Sequence, residues 1–135
     1  MYSIHPKTCR RWYETLLGAR VDADEKEVVF ALAELKPGEE VLDVGCGDGK
    51  YTGPAAEQAG SAVGLDRSPA KLRAAARRLS GTPGLRWVEG DATTLPFRDS
   101  SFDVVLIVTV LCVAADPQAV VNEALRLPVP ADDLF

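Results

Sequence analysis

The stretch Val41-Leu42-Asp43-Val44-Gly45-Cys46-Gly47-Asp48-Gly49 decides the fold. Its first half is an apolar run that reads as a strand over residues 39–44. The strand runs straight into three alternating glycines, and a helix is expected to follow from about residue 51 to 59. Pro54 is acceptable there because it falls in or near the first turn. Glycines between a strand and a helix allow a tight turn and let a ligand approach bare backbone near a helix amino terminus. A turn that binds nothing would use them as well.

Working outward, the pattern repeats. Upstream, Val28, Ala31, Leu32 and Leu35 recur at helical spacing over residues 22–35. Asp22 with Glu25 resembles a capping box, and Pro37-Gly38 is expected to end that helix. Downstream, residues 61–66 form a second short apolar run. Ser68-Pro69 then supplies a cap followed by a proline at the first helical position. The helix over residues 69–79 places Leu72, Ala75, Ala76 and Leu79 on one face, with Lys71, Arg73, Arg77 and Arg78 mostly on a solvated one. Residues 85–89 read as a third strand and 102–110 as a fourth, the most hydrophobic segment. Asp116-Pro117 repeats the cap-then-proline start, and Val120, Val121, Ala124 and Leu127 give the last helix its apolar face until Pro128 stops it. Strands alternating with helices imply right-handed βαβ units and a parallel sheet covered on both faces, a Rossmann-like doubly wound α/β fold.

Composition sets the outer bounds. The 135 residues, 47% hydrophobic and 26% charged, fit one ordinary globular domain of a size that buries a core without staples. The net charge of -5 is opposite to the footprint of a protein that grips phosphate backbones, so no nucleic-acid partner is expected. The longest apolar run, near residues 104–115, falls far short of the roughly 20 residues of a membrane span, and no secretory signal opens the chain. A cytoplasmic location is the expectation. Cys9, Cys46 and Cys112 are an odd, widely spaced set with no CxxC pair, read as buried small hydrophobes rather than a disulfide framework or a metal site. His5, the single histidine, lies in a polar stretch and is read as a surface residue, which leaves serine-histidine-aspartate chemistry little to work with.

The glycine spacing excludes two common phosphate-binding loops. In a dinucleotide fingerprint the third glycine comes one residue later, and a P-loop needs a hydroxyl where Gly49-Lys50-Tyr51 has a phenol. Three aspartates carry the ligand reading. Asp66 ends the second strand, where a carboxylate can accept both ribose hydroxyls of an adenosine. Asp91 follows the third strand, where it can accept from an adenine amino group while the Ala92 N–H reaches a ring nitrogen. With Asp43, all three sit at the carboxyl ends of strands, where open parallel sheets bind ligands. Any one of them alone could be a strand-terminating surface aspartate.

In these motifs the sequence resembles the class I S-adenosylmethionine-dependent methyltransferases, in particular the small-molecule (type 11) group akin to ubiquinone and menaquinone biosynthesis enzymes. The resemblance runs from about Trp12 to Leu127. It rests on the glycine stretch, on Val63-Gly64-Leu65-Asp66-Arg67-Ser68-Pro69, on Val88-Glu89-Gly90-Asp91-Ala92 with Leu95-Pro96-Phe97, and on Ser101-Phe102-Asp103-Val104-Val105. It implies that Asp43, Gly45, Cys46, Gly47 and Gly49 line the methionine end of S-adenosylmethionine. It places Asp66 on the ribose, Asp91 with Ala92 on the adenine, and Arg67 near the adenine ring. Thr109 to Leu111, after the fourth strand, would approach the methyl donor, and Trp12 and Tyr13 would help form a lid or serve as core. The implied reaction is in-line attack of a small-molecule acceptor on the sulfonium methyl, for which no dedicated nucleophile or metal is required; the resemblance assigns no catalytic side chain.

Where relatives of this type continue with a Lys/Arg-Pro-Gly-Gly turn and three further strands, the chain reads Arg126-Leu127-Pro128-Val129-Pro130 and stops at Phe135. The expected organisation is a helical lid over residues 1–36, a cofactor-binding core over 37–127 and a tail over 128–135, truncated after the fourth strand and its helix. The fourth strand then becomes an exposed apolar edge, covered by the tail or paired with another copy, and homo-oligomerisation through it is the expectation. Two competing readings are a cofactor-binding or dimerisation module that transfers no methyl group, and a nicotinamide-dependent oxidoreductase.

Overall fold

The computed structural model describes residues 16–108, 110–112 and 114–130. The chain divides into two units, Met1–Glu34 and Leu35–Phe135. Helix α1 (Leu16–Ala33) is the described part of the first. It begins before Asp22, so the expected capping box lies inside the helix; Leu16, Leu17, Ala19 and Arg20 are strong helix formers that carry it upstream. It also stops before Pro37-Gly38, because Glu34 turns left-handed at φ 48°. Val28 and Leu32, expected on a buried stripe, are exposed. Asp24 and Glu25, four and three residues before Val28, share its face and interrupt the apolar pattern.

In the second unit, β1 (Glu40–Val44), β2 (Ser61–Asp66), β3 (Leu85–Glu89) and β4 (Val104–Leu106) form one sheet in the order β3-β2-β1-β4, every pair parallel. Its α/β architecture is Rossmann-like, as the alternation of patterns implies. Helices α2 (Thr52–Ala59) and α3 (Pro69–Arg78) join β1 to β2 and β2 to β3, and pack on those strands. The cap at Ser68 forms as read, its hydroxyl accepting from the Lys71 N–H at 3.3 Å. Leu72 and Ala75 are buried, whereas Ala76 is exposed, turned away from the sheet.

The opposite face of the sheet holds the main core: Leu42, Val44, Val63 and Leu65 from the strands, against Leu95, Phe102 and Leu127. Phe97 meets Phe102 edge to face, ring centroids 5.0 Å apart. No helix joins β3 to β4; the irregular segment after Gly90 supplies Leu95 and Phe97 instead. Helix α4 (Pro117–Arg126), capped by the Asp116 carboxylate on the Ala119 N–H at 3.1 Å, buries Val120 and Ala124 and leads into fully buried Leu127.

Strand β4 is shorter than the apolar run from Phe102 to Val110 predicts. Its last partner pair is Asp43 with Leu106, and β1 itself ends one residue later at Val44 before turning at Gly45, so the longer apolar run has little of β1 left to pair with. A 3₁₀ turn over Val110–Cys112 follows. On the outer side of β4 the chain returns. The Phe102 N–H donates to the Leu127 carbonyl at 3.2 Å and the Val129 N–H to the Phe102 carbonyl at 2.9 Å, a parallel rung between Phe102 and Pro128.

Candidate functional site

The three glycines after β1 serve different ends. Gly45 (φ 71°) and Cys46 both donate to the Leu65 carbonyl, at 2.8 and 2.9 Å, and fold the loop over β2. A Cβ on Gly45 would stand 1.7 Å from Val110 Cγ2, so the 3₁₀ turn after β4 can close on the loop only over a glycine. Gly49 sits under Leu79 and Trp87, where a Cβ would be 2.7 and 2.8 Å from their side chains. Gly47 differs: its φ is 55°, yet a Cβ there would meet nothing within 4 Å. Bare backbone at Gly47 thus borders open space, the cradle a ligand needs. Arg78 of α3 steadies the same loop by donating to the Asp48 carbonyl at 2.8 Å.

Beneath the loop lies Asp43, only 3% exposed. Its carboxylate accepts from the Thr52 hydroxyl at 2.7 Å. Burial pushes its pKa up to about 7; the Thr52 hydrogen bond opposes that rise, and the charge of Asp66 adds to it. Cys46 is also buried, its Sγ donating to the Gly47 carbonyl at 3.6 Å. Burial first, then the charges of Asp43 and Asp66, hold its thiol far above the ordinary range, so it is an inert packing group, and only its backbone belongs to the loop surface.

Asp66 ties two segments together. One carboxylate oxygen accepts the Gly47 N–H at 3.0 Å and the other the Ser68 N–H at 2.9 Å. A carboxylate has about four acceptor sites, so one lone pair on each oxygen remains for a hydroxyl. Asp91 begins a tight turn in which Thr94 N–H donates back to its carbonyl at 3.1 Å. The Thr93 N–H and hydroxyl both bond Asp91 Oδ1, at 2.8 and 2.7 Å, and those bonds, with the charge of Arg67, hold its carboxyl below the usual range. Asp91 and Arg67 are both exposed, and the bond that closes the turn uses the N–H of Thr94, not that of Ala92.

The structure therefore gathers Asp43, the three glycines, Asp66 and Arg67 at one end of β1 and β2, with Asp91 and Ala92 at the matching end of β3. Thr109, Trp12 and Tyr13 lie outside the described residues. The sequence does not single out Thr52 or Arg78, which reach the loop through contacts in space, whereas Val110 falls within the stretch after the fourth strand expected near the methyl donor. Thr52 had a readable signal, a hydroxyl opening the helix that follows a strand-end aspartate. A cavity of about 370 Å³ lies elsewhere, among Val63, Val88, Phe97 and Phe102 with Glu40 and Arg86 at its rim, where β1 and β3 begin. It does not touch the aspartates, and the carboxyl ends of the strands remain the site such sheets use.

A parallel sheet with this order, a glycine loop after its first strand and carboxylates ending the next two define a fold that binds a nucleoside-containing cofactor. Comparison with known proteins narrows the class. Residues 42–131 match the family described as methyltransferase domain, and the chain belongs to that family. It is 39% identical over 98 residues to a demethylmenaquinone methyltransferase of Renibacterium salmoninarum, covering 73% of this chain and 40% of that protein. Among solved structures it resembles an S-adenosylmethionine-dependent methyltransferase of Thermotoga maritima, described as a possible histamine N-methyltransferase. That likeness has TM-score 0.71 and 28% identity over 89% of this chain and 51% of that one. It also resembles the [4+2]-cyclase SpnF, with TM-score 0.76 and 26% identity over 87% of this chain and 44% of that one. The chain thus spans about half the length of these three proteins, or less. Among the described residues no helix is long and apolar enough to cross a membrane.

Proposed function

We propose that this chain is the cofactor-binding part of a cytoplasmic S-adenosylmethionine-dependent methyltransferase acting on a small molecule. The observation that carries the reading is the open backbone at Gly47 beside a carboxylate that already organises the loop. In it, the backbone of Gly45, Cys46, Gly47 and Gly49 borders the methionine end, and Asp43 lies beneath it, adding negative charge there only as pH rises through about 7. Asp66 receives the ribose hydroxyls on its two remaining lone pairs. Asp91 accepts from the adenine amino group, Ala92 donates to the ring, and Arg67 flanks it. When bound, S-adenosylmethionine supplies an electrophilic methyl group to a nucleophilic acceptor atom. The chain's own share is to fix orientation and exclude water, effects worth roughly 7 to 11 kcal/mol in well-oriented reactions.

Titration calorimetry of the chain with S-adenosylhomocysteine, with NADH alongside, tests this. One-to-one binding of the former with none of the latter is expected; a folded chain that binds neither overturns the reading. A second reading, a module that binds the cofactor without transferring methyl, is favoured by the likeness to a [4+2]-cyclase. It is separated by assaying a binding-competent chain for methyl transfer to demethylated quinones and small amines.

The proposal includes self-association through β4. The Asp103 N–H turns inward to the Glu40 carbonyl at 2.9 Å, so by alternation the peptide groups of Val104 and Leu106 face outward, beyond the single rung at Phe102. A strictly monomeric species in light scattering at high concentration refutes this part.

A further inference from the structure

Glu123 and Arg126 of α4 lie outside every motif that carries the ligand reading, yet they hold the densest set of polar contacts among the described residues. Arg126 grips Glu123 with two parallel bonds, Nε to Oε1 at 3.1 Å and Nη2 to Oε2 at 2.8 Å. The same guanidinium donates to the carbonyls of Phe97 at 2.6 Å and Leu95 at 3.1 Å, and to Asp99 at 2.9 Å. Glu123 in turn accepts the Leu95 N–H at 2.7 Å. Both polar groups of Leu95 are thus held by one pair of side chains, each about three-quarters buried. Such a fork is rigid because the guanidinium is planar and its donors are fixed in direction.

What the fork holds is the exit of the turn that begins at Asp91. The entry is fixed independently, by the Gly90 N–H on the Asp66 carbonyl at 3.1 Å. Between the two anchors lie Asp91, Ala92, Thr93 and Thr94, closed only by the Thr94 bond to the Asp91 carbonyl and the Thr93 bonds to its carboxylate. Asp91 is exposed, and those bonds stay within the turn. Its direction is therefore set by where the turn enters and leaves. The entry is on the sheet; the exit is on α4.

Resting on the cofactor reading above, we infer that Arg126 and Glu123 are positioning residues: they aim the Asp91 carboxylate and the Ala92 N–H at the Watson–Crick edge of adenine. Neither touches the cofactor. Losing the fork frees the exit of the turn, and what suffers is discrimination at the base rather than grip on the whole ligand, because Gly47 and Asp66 are anchored on the sheet.

The test compares S-adenosylhomocysteine with S-inosylhomocysteine, which carries a carbonyl where adenine carries the amino group, by calorimetry on the whole chain and its variants. The wild-type chain is expected to prefer the adenine ligand by about tenfold or more, the worth of one hydrogen bond to a carboxylate. Arg126→Met is expected to bring the two affinities within about threefold of each other by weakening the adenine ligand alone. Asp91→Ala is expected to do the same, and the double variant to be no worse than either single one. Asp99→Ala, which removes the outer contact only, is expected to keep the preference. If Arg126→Met does not fold, Glu123→Gln decides, since it keeps the shape of the pair and weakens the fork. Equal loss of both ligands, or no loss of preference, in a variant that melts as a folded protein overturns the inference, as does a wild-type chain that binds both ligands equally. A wild-type chain that binds neither overturns the cofactor reading itself, and the two failures are told apart by that first titration.

Discussion

Replacing Asp43 with asparagine should remove a pH dependence of stability that the buried carboxyl imposes and leave the variant the more stable chain above about pH 7. The carboxyl is buried and its pKa rises from 3.8 to about 7, chiefly through desolvation. A raised native pKa means that the native state holds a proton which the unfolded chain has already released. The stabilisation is fully present below about pH 4 and is lost as pH climbs to about 7, then stays lost. Three pH units at about 1.4 kcal/mol each make this on the order of 4 kcal/mol across the window. The substituted amide carries no such dependence, and it preserves an acceptor for the Thr52 hydroxyl. The assay is urea denaturation followed by circular dichroism, at half-unit steps from pH 4 to pH 8.5, on both chains. Other carboxylates contribute equally to the two proteins, so the difference isolates position 43. The Asp43→Asn variant should gain on the wild type steadily up to about pH 7 and keep a constant lead above it. Two curves that stay parallel to within about 1 kcal/mol across the range would show that Asp43 ionises as freely in the fold as outside it, and the burial argument would fall.

The same geometry sets the outcome of four other substitutions. Thr52→Val should cost about 1 to 3 kcal/mol at pH 8 and clearly less at pH 5, because the hydroxyl stabilises the ionised form of Asp43; unfolding at the two pH values checks it. Gly45→Ala should cost more than about 2 kcal/mol from the clash with Val110 and the positive φ, with the steric part relieved in the Gly45→Ala, Val110→Ala double variant. Gly47→Val should fold at a cost of about 1 to 3 kcal/mol of backbone strain yet lose S-adenosylhomocysteine binding, while Asp66→Ala should lose about 1 to 3 kcal/mol of that affinity and lower the melting temperature as well. Calorimetry beside thermal melting separates the two effects, and full affinity in either variant would move the site.

The parts of this fold that could be read in the sequence are those fixed by neighbours along the chain. The β1 strand, its glycines and the caps at Ser68 and Asp116 are local chemistry, with proline and hydroxyl or carboxyl placed at fixed offsets. The strand-end aspartates were legible for the same reason. The length of β4 was not, because it depends on how far the neighbouring strand β1 runs beside it rather than on anything in the Phe102–Val110 run. Nor was the exposure of Val28 and Leu32, whose apolar spacing is helical but whose face also carries Asp24 and Glu25. Thr52 beneath Asp43 and Arg126 on the Leu95 and Phe97 carbonyls depend on which segments the fold brings together. The distinct duties of the three glycines likewise appear only once Val110, Leu79 and Trp87 are in place.

The two backbone bonds accepted by Asp66 bear on the entropy of whatever binds beside it. Loops that grip a ligand usually lose freedom in doing so, and that loss is subtracted from the affinity. Here the amides of Gly47 and Ser68 are already held at 3.0 and 2.9 Å by a carboxylate only 9% exposed. The ordering has been done during folding, by a side chain that belongs to the sheet. Ligand hydroxyls meeting that carboxylate find a rigid frame, and the amide hydrogens of Gly47 and Ser68 should exchange slowly with solvent before any ligand is added.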